Sequence, residues 1–357
     1  MKNILNLFAV LIMLTAPGRV LAQQSGRAYE FLGLPATART TALGGYAIPD
    51  MEQDLGMALV FPSLLNPDMT GQLSMNFVDY FSDINYGTVS FSHFFQKAGT
   101  FSASLQYVDY GTFTEADETG QTHGTFSAGD YSLMIGWGRR LSNHWSIGSN
   151  LKTIYSSYYE YNSFGLALDV SLTYQDAARN LAAGIVARNM GRQLVHYTNQ
   201  NTESLPFDLM IGVSKKLDNA PFRLSLITHN LHRYRLDYPS MISLPDEMFD
   251  EQPTGESSQD KLSEIGDNLM RHAVLGLEFM PGRSFSFRVG YNYRRRQEMK
   301  VDTRLSTVGF SWGFGIKISR FHFSYGRSNY HLAGAPNHIS ISTNLKDLFQ
   351  QSEAPSE

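Results

Sequence analysis

From Gly71 to Leu345 the chain repeats a pattern in which apolar side chains alternate with polar or small ones. In one such segment Phe285, Phe287, Val289, Tyr291 and Tyr293 alternate with Ser286, Arg288, Gly290 and Asn292. Successive side chains of a β-strand point to opposite faces, so each segment has one apolar and one polar face. The pattern predicts 14 strands, at about 71–79, 84–94, 99–110, 126–139, 145–159, 162–174, 181–189, 205–217, 222–230, 268–279, 284–293, 306–318, 321–330 and 337–345.

The lengths of the strands and of their connections favour a membrane barrel. Most predicted strands are near the roughly 9–11 residues that a tilted strand needs to cross a bilayer, whereas soluble strands average about 5–6. The connections after every second strand are short, at 95–98, 140–144, 175–180, 218–221, 280–283 and 319–320, and the long ones, 111–125, 190–204, 231–267 and 294–305, all fall on the other side. Short periplasmic turns and longer outer loops are typical of outer-membrane barrels. We therefore predict an all-β fold, a 14-stranded antiparallel transmembrane β-barrel over residues 71–345, with a soluble all-β sandwich as the weaker alternative.

The N-terminus has the features of a targeting segment. Lys2 precedes an apolar stretch from Ile4 to Leu14, and Val20, Leu21 and Ala22 occupy the usual cleavage positions. This arrangement is typical of a secretory signal peptide, and a membrane anchor would need a longer apolar run. We predict that residues 1–22 are cleaved and that the protein acts in the outer membrane, with its long loops at the cell surface.

Composition narrows the possible chemistry. Charged residues make up 17% of the chain, below the ~25% usual in soluble domains. The chain has no cysteine, which excludes disulfides, thiol catalysis and cysteine-ligated metals. A formal net charge of −4 gives no indication of nucleic-acid binding.

The segment 23–70, between the signal peptide and the first strand, does not alternate. It contains small residues and glycines between periodic apolar positions, which suggests a compact unit of turns and short helices. It is too short to fold alone and too apolar for a disordered chain, so it must pack on another part of the molecule. We predict a plug or hatch in the barrel lumen, with a disordered periplasmic tail as the alternative, and a short polar C-terminal tail at 346–357.

This segment also carries a family resemblance. The stretch from Phe31 to Gly45, Phe-Leu-Gly-Leu-Pro-Ala-Thr-Ala-Arg-Thr-Thr-Ala-Leu-Gly-Gly, followed by Leu65-Asn-Pro67, resembles the N-terminal signature of fatty-acid-transporter-like barrels. Within these barrels it is most similar to the PorQ family of the type IX secretion system, which is related to PorV. The wider family usually follows Asn-Pro with a small residue, whereas this chain has Asp68, a departure that bears on the hatch turn.

The resemblance implies both a fold and a role. It implies a 14-stranded barrel, the same count that the alternation predicts. It also implies a non-enzymatic membrane anchor for an extracellular PorZ-like partner, within a complex that contains a PorU-like sortase and a PorV-like barrel. In that scheme the complex attaches secreted cargo to anionic lipopolysaccharide at the cell surface.

Three short motifs carry no chemistry in this context, so we predict no catalytic, metal-binding or cofactor-binding residues. Ser149 and Lys152 match a Ser-x-x-Lys motif, but they lie in a strand, where residues three apart face opposite sides. His229 and His232 lack a third metal ligand nearby and are read as loop-end residues. Gly309, Gly313 and Gly315 lie in an alternating strand with no following helix, so we expect them to permit close packing against a plug.

Two long loops are the candidate interaction sites. Loop 231–267 contains many acidic residues and also an apolar set that could dock a partner: Tyr238, Met241, Ile242, Leu244, Met248 and Phe249. Loop 294–305 is basic, and its Arg294, Arg295, Arg296, Lys300 and Arg304 could bind lipopolysaccharide phosphates. For both loops the alternative is a solvated loop without a partner.

Periodicity alone leaves the function open between two classes. The first is the anchor that the resemblance implies. The second is a transporter of hydrophobic small molecules through a fatty-acid-transporter-like barrel. An outer-membrane hydrolase is disfavoured, because no Ser-His-Asp arrangement is visible in the sequence.

Overall fold

The barrel is seen in a computed structural model, which describes residues 27–198, 203–236, 258–299, 307–329 and 334–346, with the backbone only for 258–263. The strands are β1 Gln72–Asp79, β2 Asn85–Phe95, β3 Gly99–Ala116, β4 Thr122–Arg140, β5 Trp145–Tyr158, β6 Tyr161–Asp176, β7 Leu181–Val195, β8 Asp208–Lys216, β9 Phe222–Thr228, β10 Ala273–Phe279, β11 Phe285–Asn292, β12 Phe310–Ile318, β13 Phe321–Ser328 and β14 Asn337–Asn344. The helices are α1 Ala38–Ala42, α2 Leu55–Ala58, α3 Ser258–Arg271 and α4 Tyr293–Met299.

Each strand pairs antiparallel with its neighbours in sequence, and β1 pairs with β14 to close the sheet. The closing register runs from Gln72 opposite Asn344 to Asp79 opposite Asn337. The predicted 14-stranded antiparallel barrel is confirmed. Closure leaves no sheet edge with unpaired backbone groups, as hydrocarbon requires.

The two faces of the wall are the reverse of those of a soluble protein. On β1 the side chains of Met75 and Phe77 are exposed at 51% and 46%, whereas Ser74 and Asn76 are buried. The same exposed apolar belt continues around the barrel, for example at Leu133 and Leu277. An apolar outer face and a polar interior are the pattern of a barrel that faces lipid.

Several predicted boundaries on the long-loop side are wrong. β3 and β4 continue beyond a register shift and pair as far as Ala116 and Thr122, so the predicted loop 111–125 shrinks to 117–121. β7 likewise runs on to Val195. These extensions lack the regular alternation of apolar and polar residues, so the pattern could not reveal them.

Helices replace two other predicted stretches on this side. The residues 268–271, predicted as the start of a strand, form the end of α3, and β10 begins only at Ala273. The predicted basic loop begins as the helix α4, and β12 begins at Phe310, with Gly309 in a turn at a φ of +88°. β8 begins at Asp208, three residues after the predicted start at 205.

Residues 27–71, here named the plug, lie inside the barrel. Besides α1 and α2 they contain three short 3-10 helices at Glu30–Gly33, Pro62–Leu64 and Pro67–Met69. Inward-facing side chains of nearly every strand bond to the plug: Gln72, Ser92, Gln106, Asn150, Ser171, Arg188, Ser214, Arg223, Glu278, Asn292, Ser311 and Ser340. Apolar plug residues such as Leu55, Phe61 and Met69 pack against Val186, Met210 and Val274 of the wall.

Several glycines in the strands allow the plug backbone to come into van der Waals contact with the wall. A Cβ at Gly148 would lie 2.2 Å from the carbonyl carbon of Pro62, and one at Gly290 would lie 2.2 Å from the amide nitrogen of Gly44. A Cβ at Gly313 would meet Ala42 of the plug at 2.7 Å, as predicted, whereas Gly309 lies against Arg296 and Gly315 against Arg288 rather than against the plug. These close approaches fix the position of the plug relative to the strands.

Among the described residues, none of the helices combines the length and the hydropathy needed to cross a bilayer. The predicted signal peptide, 1–22, and residues 347–357 of the predicted tail lie outside the described part of the chain.

Candidate functional site

The plug is held by a buried ionic cluster whose plug side comes from α1 and the loop after it. Thr37 caps α1 by accepting a hydrogen bond from the Thr40 amide at 3.1 Å, which satisfies one of the free amides at the helix start. Gly44 and Gly45 end the turn with φ values of +93° and +96°, a conformation that favours glycine. The chain then turns back, so Asp50, Glu52 and Asp54 return to the side chain of Arg39.

Arg39 is the centre of this cluster. Its guanidinium is buried and forms a bidentate pair with Glu278 of β10, with Nε to Oε1 at 2.9 Å and Nη2 to Oε2 at 2.8 Å. Nη1 donates to Asp54 at 2.9 Å. Bidentate arginine–carboxylate pairs are among the strongest polar contacts in proteins, and this one joins the plug to the wall.

Two further arginines of the wall bind the same carboxylate. Arg223 of β9 donates from Nη1 to Glu278 at 2.8 Å and from Nη2 to Glu52 at 2.6 Å. Arg288 of β11 donates from Nε to Glu278 at 2.9 Å. Glu278 therefore accepts from three guanidinium groups, one on the plug and two on the neighbouring strands, and the cluster clamps α1 and the loop 50–54 to β9, β10 and β11.

The charges of the cluster do not balance when all its groups are ionised. Arg39, Arg223 and Arg288 face the carboxylates of Asp50, Glu52, Asp54 and Glu278, which leaves one negative charge in excess. Asp50 is the carboxylate with the poorest bonding, because its Oδ2 lies 2.7 Å from Arg39 Nη2 but outside hydrogen-bonding geometry. Burial, opposed by Arg39 and reinforced by Glu52, raises the pKa of Asp50 to about 6. Protonation of Asp50 would balance the cluster.

A second buried ion pair stabilises an irregularity of the wall. Lys152 of β5 lies 2.7 Å from Asp169 of β6 and donates to Oδ1 of Asn189 at 2.8 Å. Asn189 lies in β7 at a φ of +55°, where the β6–β7 register shifts, and its amide donates to Asp169 at 2.8 Å. Lys152 thus faces the lumen and Ser149 the opposite side, as predicted for residues three apart on a strand.

A small void lies between the plug and the wall. This void, bordered by Leu34, Thr88, Gln106 and Lys152, measures about 20 Å³, which is room for a single water molecule. Thr88 Oγ1 lines this void and has no protein partner, so a bound water would satisfy it.

The histidines considered for a metal site have separate packing roles. His229 lies directly after β9, at the loop end as predicted, and it is fully buried, with its ring stacked on Tyr46 of the plug at a centroid distance of 4.4 Å. His232 packs against Phe207 at 4.9 Å. Within the described ranges, no three potential metal ligands come together.

The predicted phosphate-binding arginines are engaged within the protein. Arg294 donates to Glu298 at 2.7 Å, and Arg295 donates to Ser328 of β13 at 2.7 Å. The backbone of Arg296 packs against Gly309. Lys300, Arg304 and the whole apolar set Tyr238, Met241, Ile242, Leu244, Met248 and Phe249 lie outside the described residues, so their predicted roles stay predictions.

The two predicted interaction loops nevertheless meet. Tyr293 of α4 donates to Asp267 of α3 at 2.6 Å, and Asp267 also accepts from Arg271 at 2.7 Å. The polar side of α3 therefore faces the barrel end, while Ile265 and Leu269, one turn apart, are exposed at 47% and 65%. A structured platform of two helices stands at the long-loop end beside the described part of loop 231–267.

Sequence reasoning missed the ionic cluster. The signal that could have revealed it is a charged residue at an inward position of an otherwise uncharged strand, as at Arg223, Glu278 and Arg288. A buried charge requires a partner, and the plug supplies opposite charges at Arg39 and Asp50. Matching wall charges to plug charges would have indicated the contact.

No protein-family model matches the chain, and a comparison of its sequence with curated proteins finds no significant match. Solved structures do resemble it. The toluene transporter TodX of Pseudomonas putida has a TM-score of 0.51 and 11% identity, over 87% of this chain and 96% of that one. A FadL homologue of Pseudomonas aeruginosa has a TM-score of 0.45 and 9% identity, over 87% and 98%.

The CymD monoaromatic hydrocarbon channel has a TM-score of 0.43 and 11% identity, over 86% of this chain and 96% of that one. At such identities the likeness shows the fold and nothing more. The chain has the fold of the TodX barrel.

Proposed function

We propose that this protein is a non-enzymatic outer-membrane scaffold of the type IX secretion and surface-attachment machinery, which anchors an extracellular PorZ-like partner. The observation that carries the proposal is the bonding of the plug to nearly every strand of the wall. A barrel whose lumen is filled and clamped in this way is suited to hold partners at its ends rather than to pass molecules through its centre.

The resemblance to the PorQ family and the ionic cluster point to the same residues. Arg39, Gly44 and Gly45 belong to the stretch that carries the resemblance. Arg39 and Gly44 bind or pack against the wall, and Gly45 packs against Arg295 of α4. The signature block therefore has a structural purpose in this chain, which is to seat the plug. This agreement supports membership in the same group of plugged barrels.

The long-loop end supplies the surface that an outer partner would need. The α3–α4 platform is held together by the hydrogen bond from Tyr293 to Asp267, and it presents the exposed side chains of Ile265 and Leu269. The apolar set from Tyr238 to Phe249 and the basic residues Lys300 and Arg304 are the proposed contacts to the partner and to lipopolysaccharide. Arg294 and Arg295 instead stabilise α4, through hydrogen bonds to Glu298 and to Ser328 of β13.

A pull-down from cells tests the proposal. Residues 240–256 are replaced by a Gly-Ser linker, which leaves α3 intact, and a matched variant shortens the exposed 117–121 turn at the same end. We expect the first variant to insert normally but to lose the extracellular partner, and secreted cargo to leave the surface. The second variant should retain both.

The competing function, transport of hydrophobic small molecules, is favoured only by the TodX-like fold. Deletion of the gene separates the two functions. If cargo still reaches and stays on the surface while uptake of an apolar compound fails, the scaffold proposal is wrong. N-terminal sequencing of the mature protein tests the proposed cleavage after Ala22.

A further inference from the structure

An open cavity of about 670 Å³ lies at the short-turn end of the barrel. Its walls are the ends of three hairpins, β2–β3, β4–β5 and β6–β7, and its roof is the plug between Leu64 and Asp68. The cavity lies inside the ring of strands, at the end of the barrel opposite the α3–α4 platform. Its volume falls within the range of about 300–1,000 Å³ that is typical of ligand pockets.

The charged groups around the cavity are predominantly basic. Lys97, Arg139 and Arg140 line it, and none of them forms an ion pair with another residue in the described part of the chain. Asp176 also lines it but is engaged, because it accepts from the amides of Ala178 and Arg179 and lies 3.6 Å from the Arg179 guanidinium. Asp68 is the remaining carboxylate, at the exposed rim.

The rest of the lining can hold a peptide backbone and an apolar side chain. Gln53, Gln96 and Asn143 present amide groups, which both donate and accept hydrogen bonds. Met51, exposed at 36%, and Phe94 present apolar surface. Gly138 lies where the plug reaches the wall of the cavity, since a Cβ there would lie 2.6 Å from the Cβ of Leu65.

We infer that this cavity binds an acidic polypeptide segment that approaches from the short-turn side. Arginine pairs with carboxylates through directed, charge-assisted hydrogen bonds, and three unpaired cations on neighbouring hairpins provide several such contacts. A phospholipid headgroup fits less well, because the roof is the plug and the apolar acyl-facing surface lies on the outside of the wall. The inference does not rest on the proposed outer partner.

Peptide binding to the full-length protein in detergent micelles tests the inference. The probe is a fluorescein-labelled eight-residue peptide of alternating glutamate and leucine, followed by fluorescence anisotropy at low salt. The variant Lys97→Ala/Arg139→Ala/Arg140→Ala removes the cavity cations. The matched control, Lys215→Ala/Lys216→Ala/Arg283→Ala, removes the same charge from exposed positions at the same end that do not line the cavity.

We expect the cavity variant to weaken binding by about tenfold or more and the control variant by less than about twofold, because only the former removes direct partners. Asn143→Trp, on an exposed turn, should also block the peptide by filling the cavity while leaving the net charge unchanged.

Three results would overturn the inference. One is an equal loss of binding in the cavity and control variants, which would indicate attraction to net charge alone. Another is equal binding of a lysine–leucine peptide. The third is a failure of the acidic peptide to bind while vesicles of phosphatidylglycerol bind in a cavity-dependent manner, which would assign the site to lipid.

Discussion

At the scale of single residues, the most consequential side chain is Arg39, since it contacts three carboxylates of the plug as well as Glu278 of the wall. Removal of one member of a buried ion pair leaves the others without compensation, at a cost of about 3–5 kcal/mol. Arg39→Ala would leave Glu278, Asp50 and Asp54 facing one another with two arginines instead of three.

We therefore expect Arg39→Ala to lower the thermal unfolding midpoint of the detergent-solubilised barrel by several degrees. Arg283→Ala, at an exposed position on a short turn, is the control and should change the stability by less than about 0.5 kcal/mol. An unchanged midpoint for Arg39→Ala would mean that the ionic cluster does not hold the plug.

Asp50 should make the stability depend on pH. Its pKa is raised to about 6 in the folded protein, so the folded state keeps this proton to a higher pH than the unfolded chain does. The contribution of Asp50 to stability therefore falls as the pH rises from about 4 to about 6, and stays low above that. Asp50→Asn keeps the group neutral at every pH.

The variant Asp50→Asn should thus be more stable than the natural protein at pH 7.5, by roughly 1–3 kcal/mol, and similar to it at pH 4.5. Unfolding midpoints at the two pH values measure this difference. Glu278→Gln is the contrast, because Glu278 accepts from three guanidinium groups and its loss should destabilise the protein at both pH values. A loss of stability in Asp50→Asn at pH 7.5 would contradict the assignment of the excess charge to Asp50.

At the scale of elements, the strands were predictable where they cross the apolar belt and not beyond it. The start of β5 at 145 and the start of β13 at 321 match the prediction, because alternation of apolar and polar residues is strict there. β3 and β4 continue to Ala116 and from Thr122 through polar sequence held by backbone pairing and by the stacked rings of Phe113 and Phe126. Where a strand end is held only by pairing with its neighbour, the sequence of that strand alone does not reveal it.

The end of α3 was missed for a related reason. Residues 268–271, Asn-Leu-Met-Arg, continue into the apolar strand β10, and a short window does not separate the helix from the strand. The end of α3 is stabilised by hydrogen bonds to residues that are distant in sequence. Asn268 donates to the carbonyl of Tyr234, and Tyr293 donates to Asp267.

Glycines in the strands allow the plug backbone to pack closely against the wall. A substitution at Gly148 tests whether this close packing holds the plug in place. A side chain there would overlap the backbone of Pro62 and Ser63, at 2.2 and 2.3 Å, whereas valine itself suits a strand. We expect Gly148→Val to form the barrel but displace the plug.

Limited proteolysis of the folded protein should then cleave the N-terminal segment of Gly148→Val at least several times faster than that of the natural protein. Gly282→Ala is the matched control, because a Cβ at Gly282 meets nothing within 4 Å. Equal protection of the plug in Gly148→Val would show that the plug adjusts without leaving its seat.

At the scale of the whole molecule, the sequence predicted a filled barrel but not how it is filled. The lack of alternation before Gly71 and the small residues of the plug indicated a packed segment, and the structure places it in the lumen. The partners of its charges could not be predicted, because Arg39 and Glu278 are far apart in the chain and meet only once the barrel is closed.

The choice between a scaffold and a transporter depends on whether the plug must move, and a reversible lock can test this. The side-chain oxygens of Ser63 in the plug and Ser171 in β6 are 2.8 Å apart, so cysteines at both positions bring their sulfurs near the ~2.05 Å of a disulfide. Because the natural chain contains no cysteine, the pair would form the only disulfide.

For a scaffold, we expect the oxidised Ser63→Cys/Ser171→Cys protein to retain its extracellular partner and its surface cargo to within about twofold of the natural protein, since neither requires the plug to leave the lumen. Single Ser63→Cys and the reduced double variant are the controls for the substitutions themselves. A transporter that opens by displacing the plug would instead lose uptake of an apolar compound on oxidation and regain it on reduction. Loss of partner binding in the oxidised form alone would show that the plug moves during anchoring, and the barrel could then no longer be regarded as a static support.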